Sequence, residues 1–283
     1  MNCTIRALLP GELAFAAECT AAEGWVSENI STLEGFFRHD PAGCLVAELA
    51  GRPVGICIAT AYGTAGFIGE LIVRPEARGC GTGAALLNHA MTYLVESGAQ
   101  TIYLDGVIQA VSLYERNGFR KVCRSLRLAG QLAGKSHPAV RPLQAGDLQE
   151  VCALDRRAFG ADRSFFLHRR WELFPDLSHV LVMSGRLSGF ILGRAGEGWA
   201  AAGPWVMVEG AGAARLLLES FADALGGTPF TIGVLETNQP AVELLRGMGL
   251  CERTDSPWRM ARGPGEDLGA SAACYAIGSA AKG

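Results

Sequence analysis

Six residues, Arg78-Gly79-Cys80-Gly81-Thr82-Gly83, put one cation and three glycines directly ahead of an apolar run with helical spacing. Glycine removes the side chains that would hold an anion away from backbone N–H groups, and a following helix N-terminus adds partial positive charge. Arg78 supplies a full charge on a forked set of donors that matches phosphate oxygens. A diphosphate is the natural guest of such a turn. The rival readings are a Walker loop, a dinucleotide fingerprint and a tight turn that holds no ligand. No G-x-x-x-x-G-K-S/T pattern occurs in the chain. Gly79-x-Gly81-x-x-Ala84 does fit the dinucleotide pattern, with Asp105 following at roughly the 20-residue distance that pattern expects. That fold, however, runs a strand straight into its first glycine. Here Arg74-Pro75-Glu76-Ala77-Arg78 intervenes, and Pro75 cannot join a ladder.

A turn of this kind needs a strand before it and a helix behind it. Residues 44–49 and 54–60 read as β-type runs joined at Gly51-Arg52-Pro53, and residues 67–73 as a third run that Pro75 ends. Residues 84–97 carry Ala85, Leu86, His89, Ala90, Tyr93 and Leu94 at helical spacing, with Gly98 as the stop. A short strand at 101–104 and a helix over 107–117 follow, and Gly118 suits the left-handed position that ends a helix. The pattern is a mixed α/β unit with the glycine turn at its centre.

That unit occurs twice. Arg6, Leu8, Gly11, Glu12 and Leu13 recur in register as Arg141, Leu143, Gly146, Asp147 and Leu148. Gly51-Arg52-Pro53-Val54-Gly55 is echoed by Gly185-Arg186-Leu187-Ser188-Gly189, and Ala110-Val111 with Gly118 by Ala241-Val242 with Gly249. The separations are 135, 134 and 131 residues, and three colinear matches indicate a duplicated domain. The division is therefore a first domain at 1–130, a small polar linker at 131–138, a second domain at 139–262 and a tail at 263–283. The tail starts at the breaker Gly263-Pro264-Gly265 and reads as an extension or as one short docked strand.

Bulk properties narrow the function classes. A chain of 283 residues, 49% hydrophobic and 19% charged, can fold two ordinary cores and is not a disordered polymer. A net charge of −3 argues against a general nucleic-acid binder. Arg6, Pro10, Glu12 and Glu18 interrupt the apolar N-terminal stretch, so neither a leader nor a membrane span is expected. Nine cysteines without a C-x-x-C pair or a His at ligand spacing point to free thiols in a reducing cytoplasm, with no metal site.

The run from Glu70-Leu71-Ile72-Val73 through Arg78-Gly79-Cys80-Gly81-Thr82-Gly83 resembles motif A of the GNAT N-acetyltransferases, of the form L-x-V-x-P-x-x-R-G-x-G-x-G. Ala110-x-x-Leu113-Tyr114-Glu115-Arg116-Asn117-Gly118-Phe119 is similar to that family's motif B, and the match spans roughly residues 3–128. The resemblance implies an α/β (α+β) fold of two tandem GNAT-like domains, each a mixed, splayed, mostly antiparallel sheet flanked by helices. It implies acetyl-CoA as cosubstrate, with the pantetheine arm along Leu71, Ile72 and Val73 and the pyrophosphate on Arg78, Gly79, Cys80, Gly81, Thr82 and Gly83. The implied reaction is direct attack of an amine on the thioester, without a covalent enzyme intermediate.

Within that frame Tyr114 matches the general acid. A phenol with a reference pKa of about 10 holds its proton at neutral pH and can give it to a departing thiolate. The alternative is a ring packed between helix and sheet. Glu70 matches the place from which family members draw a base, and partial burial would raise its pKa for that task. A surface salt bridge is its other reading. The backbone N–H near Val73 is the expected oxyanion donor. Trp25, Phe36, Phe37, His39 and Tyr62 fall where the family walls its acceptor site, though core packing accounts for them as well. One departure stands out: Gly106 occupies a position where many members carry Asn.

The second copy keeps the pattern and drops the chemistry. Trp205-Val206-Met207-Val208-Glu209-Gly210-Ala211-Gly212 lacks the arginine, Glu209 would repel phosphate, and Leu245 stands in the place of Tyr114. Its expected roles are to cover the first copy or to wall the acceptor cleft with Arg163, Phe165, His168, Trp171 or Trp199. Two functions follow: an N-acetyltransferase acting on a primary amine of a small molecule or peptide, or a noncatalytic acyl-CoA sensor whose second domain relays occupancy. Neither involves nucleic acid or membrane, and the protein is expected as a monomer or homodimer.

Overall fold

A computed structural model describes residues 3–25, 29–208, 210–265, 268–279 and 283. Glycine at positive φ turns the chain between strands, as at Gly51 (φ +77°) in the first hairpin. The first half runs β1 (Cys3–Ala7), α1 (Leu13–Ala22), α2 (Ile30–His39), β2 (Cys44–Leu49), β3 (Arg52–Tyr62), β4 (Ala65–Val73), α3 (Thr82–Glu96), β5 (Thr101–Gly106), α4 (Val111–Arg116) and β6 (Arg120–Gly130). The second half repeats it as β7 (Val140–Pro142), α5 (Leu148–Phe159), α6 (Ser164–Leu173), β8 (Ser178–Met183), β9 (Arg186–Gly196), β10 (Trp199–Met207), α7 (Ala211–Ala224), β11 (Phe230–Leu235), α8 (Gln239–Gly247), β12 (Cys251–Glu252) and β13 (Trp258–Arg262). A last strand, β14 (Cys274–Ala276), lies in the tail. The helix expected over 107–117 is shorter than the sequence pattern suggests. A 3-10 turn at Ile108–Ala110 precedes α4, and Gly118 (φ +83°) closes it.

The strands make one sheet in the order β1-β2-β3-β4-β5-β13-β6-β11-β10-β9-β8-β7, with β12 on β6 and β14 on β10. Among the described residues, β4–β5 and β10–β11 alone pair in parallel. This is the mixed, mostly antiparallel architecture anticipated. On one face of the first half, α3 buries Leu86, Leu87, Ala90 and Leu94 against Leu45, Ala47, Cys57 and Ile102. Each fully buried leucine contributes about 1.5–3 kcal/mol of transfer free energy, which holds the helix and the turn at its head. The other face carries α1 and α2, with Leu33 and Phe36 packed on Val46, Ile56 and Ile58.

Strand pairing crosses between the copies. β13, from the second half, pairs with β5 on one side and with residues 120–124 of β6 on the other. Residues 125–130 of β6 reach across in return, pairing with β11 and with β12. Each copy thus lends a strand to its neighbour. The crossing is tied by a buried charge cluster: Asp105 accepts from Arg259 Nε at 2.5 Å, Arg127 Nη2 at 3.0 Å and Ser125 Oγ at 2.7 Å. Away from the sheet, α2 meets α6. Arg169 Nη2 pairs with Glu34 at 3.0 Å, and Phe36 meets Phe165 edge-on at 5.8 Å.

Candidate active site

β4 changes course where the site lies. Ile56 pairs with Ile72 and Ile58 with Gly69, which leaves Glu70 and Leu71 together opposite Cys57 in a bulge. Glu70 takes φ +48°, a left-handed conformation rare outside glycine, and such a residue costs of order 1–3 kcal/mol that the surrounding sheet must offset. The parallel pairing with β5 stops at Ile68 and Leu104, so β4 and β5 splay beside Glu70, Leu71, Ile72 and Val73. Ile72 is buried against α1 and α2, while Leu71 and Val73 pack toward α3.

The turn that follows is short and open. After a 3-10 turn at Pro75–Ala77, Gly79 (φ +77°) and Gly81 (φ +89°) take left-handed backbone, and α3 starts at Thr82. A Cβ added at Gly79 or Gly81 would meet nothing within 4 Å, so the front of the turn faces open space. Gly83 sits closer in, where a Cβ would lie 3.7 Å from Val73 and 3.8 Å from Leu113. Arg78 donates from Nε to the Val73 carbonyl at 2.7 Å and forms an ion pair with Glu23 at the end of α1. One turn earlier in the loop, Arg74 reaches Glu18 at 2.9 Å. Cys80 is exposed. Its thiol donates to the Ala77 carbonyl at 3.0 Å, and contact with the Thr82 hydroxyl draws its pKa below the usual thiol value.

Tyr114 lies against the splay and is buried, 6% exposed. Burial first, and then Cys57, push its phenol above the usual range, so it holds its proton more tightly than a free tyrosine. Burial and then Glu70 do the same to the Cys57 thiol, which lies opposite Glu70 in the bulge. Gly106 explains how Tyr114 fits: a Cβ there would stand 2.9 Å from the tyrosine ring. The missing Asn is thus replaced by the ring itself. Cys57 carries no motif signal of its own, and Gly106 stood out only as a departure from the family pattern until the packing showed its part.

The aromatic residues expected at the acceptor wall divide into two groups. His39 stacks on Phe165 at 3.7 Å between centroids, and Tyr62 meets Phe159 edge-on at 5.5 Å, so α5 and α6 wall the first sheet on its α1–α2 face. Burial lowers the His39 pKa, partly opposed by Asp40 and Asp162. Arg163 is buried, clamped to Asp155 by two bonds of 2.9 Å, and donates to a Gly283 oxygen at 2.7 Å. His168 is exposed, Trp171 donates to the Leu143 carbonyl at 3.2 Å and Trp199 lies on Gly196, so these three stay with the second copy.

In the second copy β10 and β11 pair over residues 200–202 with 230–232, and a bulge follows at Gly203-Pro204, matching that at Glu70-Leu71. Beyond it the two strands splay, and β14 runs antiparallel to β10 inside the gap, with Ala276 opposite Trp205 and Cys274 opposite Val206. Leu245, on α8, is fully buried in the core it shares with α7. Glu209, expected to repel phosphate here, lies outside the described residues. Among the described residues no group of three His, Cys, Asp or Glu side chains could hold a metal, and no helix is long and apolar enough to cross a membrane.

Residues 12–119 match the acetyltransferase (GNAT) family, and residues 151–272 match an acetyltransferase (GNAT) domain. A curated mycothiol acetyltransferase from Stackebrandtia nassauensis is 32% identical over 136 residues, which cover 42% of this chain and 44% of that protein. The match thus spans less than half the length of that relative. A putative acetyltransferase structure from Pyrococcus horikoshii superposes with a TM-score of 0.84 at 24% identity, covering 99% of this chain and 96% of that one. A tandem GNAT protein from the clavulanic acid biosynthesis pathway superposes with a TM-score of 0.64 at 15% identity, covering 93% of this chain and all of that one (100%).

Proposed function

Because the chain belongs to the GNAT acetyltransferase family and carries two of its domains in tandem, we propose that it transfers an acetyl group from acetyl-CoA to a primary amine of a small molecule or peptide. The observation that carries this reading is the difference between the two splayed slots. The slot beside residues 70–73 ends at an arginine-bearing glycine turn with an open front, whereas the equivalent slot of the second copy holds β14. Catalysis belongs to the first copy, residues 1–130, completed by the borrowed β13.

The fit of the residues to the cosubstrate is direct. Arg78 and the N–H groups of residues 79–83, at the open front of the turn, would hold the diphosphate, and the splayed edge of β4 offers backbone partners to an extended arm. Tyr114 keeps its proton through the neutral range and is the donor for a departing thiolate. Glu70, set in the bulge, is the group that takes the amine proton. Relatives named mycothiol acetyltransferase direct the first acceptor panel toward small molecules. The burial of Glu70 (4% exposed) and Tyr114 (6%) favours a second reading, an acyl-CoA sensor without turnover.

Thiol release from acetyl-CoA across amines, amino acids, polyamines and short peptides separates the two. The transferase reading expects a hit that Tyr114→Phe reduces by about 10²–10⁴-fold, with CoA affinity unchanged. Binding without turnover on every acceptor, or full turnover in Tyr114→Phe, overturns the reading or the role respectively.

A further inference from the structure

The second slot is filled by the chain's own tail, and its walls are shaped for that guest. The Met207 N–H donates to the Ala273 carbonyl and the Ile277 N–H to the Gly233 carbonyl, both at 2.9 Å, so the tail bonds to both splayed strands. Asn238, buried at the head of α8, donates from Nδ2 to the carbonyls of Ala272 at 3.0 Å and Cys274 at 2.9 Å. Its Oδ1 meanwhile accepts from the Ala241 N–H, capping the helix.

Two glycines make the room. A Cβ at Gly203 would stand 2.1 Å from the Ile277 carbonyl oxygen, and one at Gly233 would stand 2.8 Å from the Ile277 side chain. Gly233 is the first residue of β11 beyond its parallel pairing with β10, so Ile277 packs on the strand where the slot opens. Tyr275 packs on Trp205 with centroids 5.0 Å apart. Hydrogen bonds to both edges, a polar grip from the helix start and a filled hollow amount to strand addition by an internal peptide.

We propose that residues 274–277 are a built-in peptide ligand of the second copy's cofactor slot, leaving the chain with one acetyl-CoA site. The slot has become a dock for the chain's own strand. This rests on the reading that the first slot takes acetyl-CoA. Burial pushes the Cys274 thiol up to about 12, so its alkylation reports release of the strand.

The test uses the full chain, with CoA as probe. Calorimetry should give one CoA per chain, bound about 10- to 100-fold more weakly in Arg78→Ala. Iodoacetamide should label Cys274 on the order of 100-fold more slowly than the exposed Cys251, with no change when CoA is added. Ile277→Asp should speed Cys274 labelling by roughly 10-fold while the stoichiometry stays at one. A second CoA that survives Arg78→Ala overturns the proposal, as does Cys274 labelled as fast as Cys251, or faster once CoA is present. If the wild type binds no CoA, the acetyltransferase reading fails, and Cys274 protection still decides the internal ligand.

Discussion

Arg78 has two partners in this structure, and both bear on how it would meet a phosphate. Its Nε is held by the Val73 carbonyl, which aims the side chain across the glycine turn, while Nη2 is paired with Glu23. An exposed pair of this kind is weak, worth about 0.2–1 kcal/mol, so it tunes binding without deciding it. Glu23→Gln should tighten CoA binding roughly 2- to 5-fold by calorimetry, an effect that fades in high salt. Arg78→Ala should weaken it about 10- to 100-fold, the loss expected for charge-assisted bonds to phosphate. Tyr114 makes a prediction in pH. Its folded pKa lies above that of a free phenol, so the proton is kept to higher pH, and kcat should not fall between pH 7 and about 10 for loss of this acid. The spacing of the glycine turn marked Arg78, and the resemblance to the family marked Tyr114. The Glu23 pairing brings together side chains 55 positions apart, which no local pattern could show.

At the scale of elements, the bulge in β4 and the hollow at Gly106 are two parts of one arrangement. The bulge turns Glu70 and Leu71 out of the ladder as β5 departs, and Gly106 gives the opposite wall room for the Tyr114 ring. Gly106→Asn, which restores the residue common in the family, should therefore collide with Tyr114. An overpacked contact of this sort costs about 1–3 kcal/mol, readable by urea denaturation together with a lowered kcat. Recovery of stability and activity in that variant would show that the ring is free to move aside. The helix over 107–117 shows why periodicity overshoots. Its apolar spacing starts early, yet the chain leaving Gly106 first needs a 3-10 turn to bring Tyr114 back over the strand.

Across the whole molecule the exchange of β6 and β13 makes the two copies one folding unit. Without β13 the first sheet has no strand between β5 and β6, and Met260, fully buried under α3 and α4, is missing from its core. A 1–130 fragment should fail to give a folded monomer, and the intact chain should unfold in one calorimetric transition. Asp105→Asn removes the carboxylate that Arg259 and Arg127 share, and breaking a buried pair costs about 3–5 kcal/mol. Burial alone would raise the pKa of Asp105, but Arg259 and Arg127 outweigh it and hold it below the ordinary value. With the folded value depressed, its stabilisation is complete above the unfolded carboxylate range, near pH 3.9, and is lost only as pH falls through the lower folded value. Acid titration of the wild type and of Asp105→Asn should diverge most above that range.

Short runs of residues carried the repeat, the glycine turn and the resemblance to the family, and that resemblance pointed to Tyr114. Glycine spacing, strand alternation and helix stops act over a few residues, and their physics needs no distant partner. The duplication was legible for the same reason, since matched turns and helix starts recur in order. The crossing of β6 and β13 was not, because a strand's alternation says which face is buried and not which neighbour it bonds. The tail was legible only as an extension, disordered or docked as one short strand. That it lies in the second slot follows from Gly203, Gly233 and Asn238, on neighbouring strands and a helix, converging on Ile277 and its flanks. Such convergence exists only in the folded molecule, where backbone groups exposed by a splayed sheet must find partners.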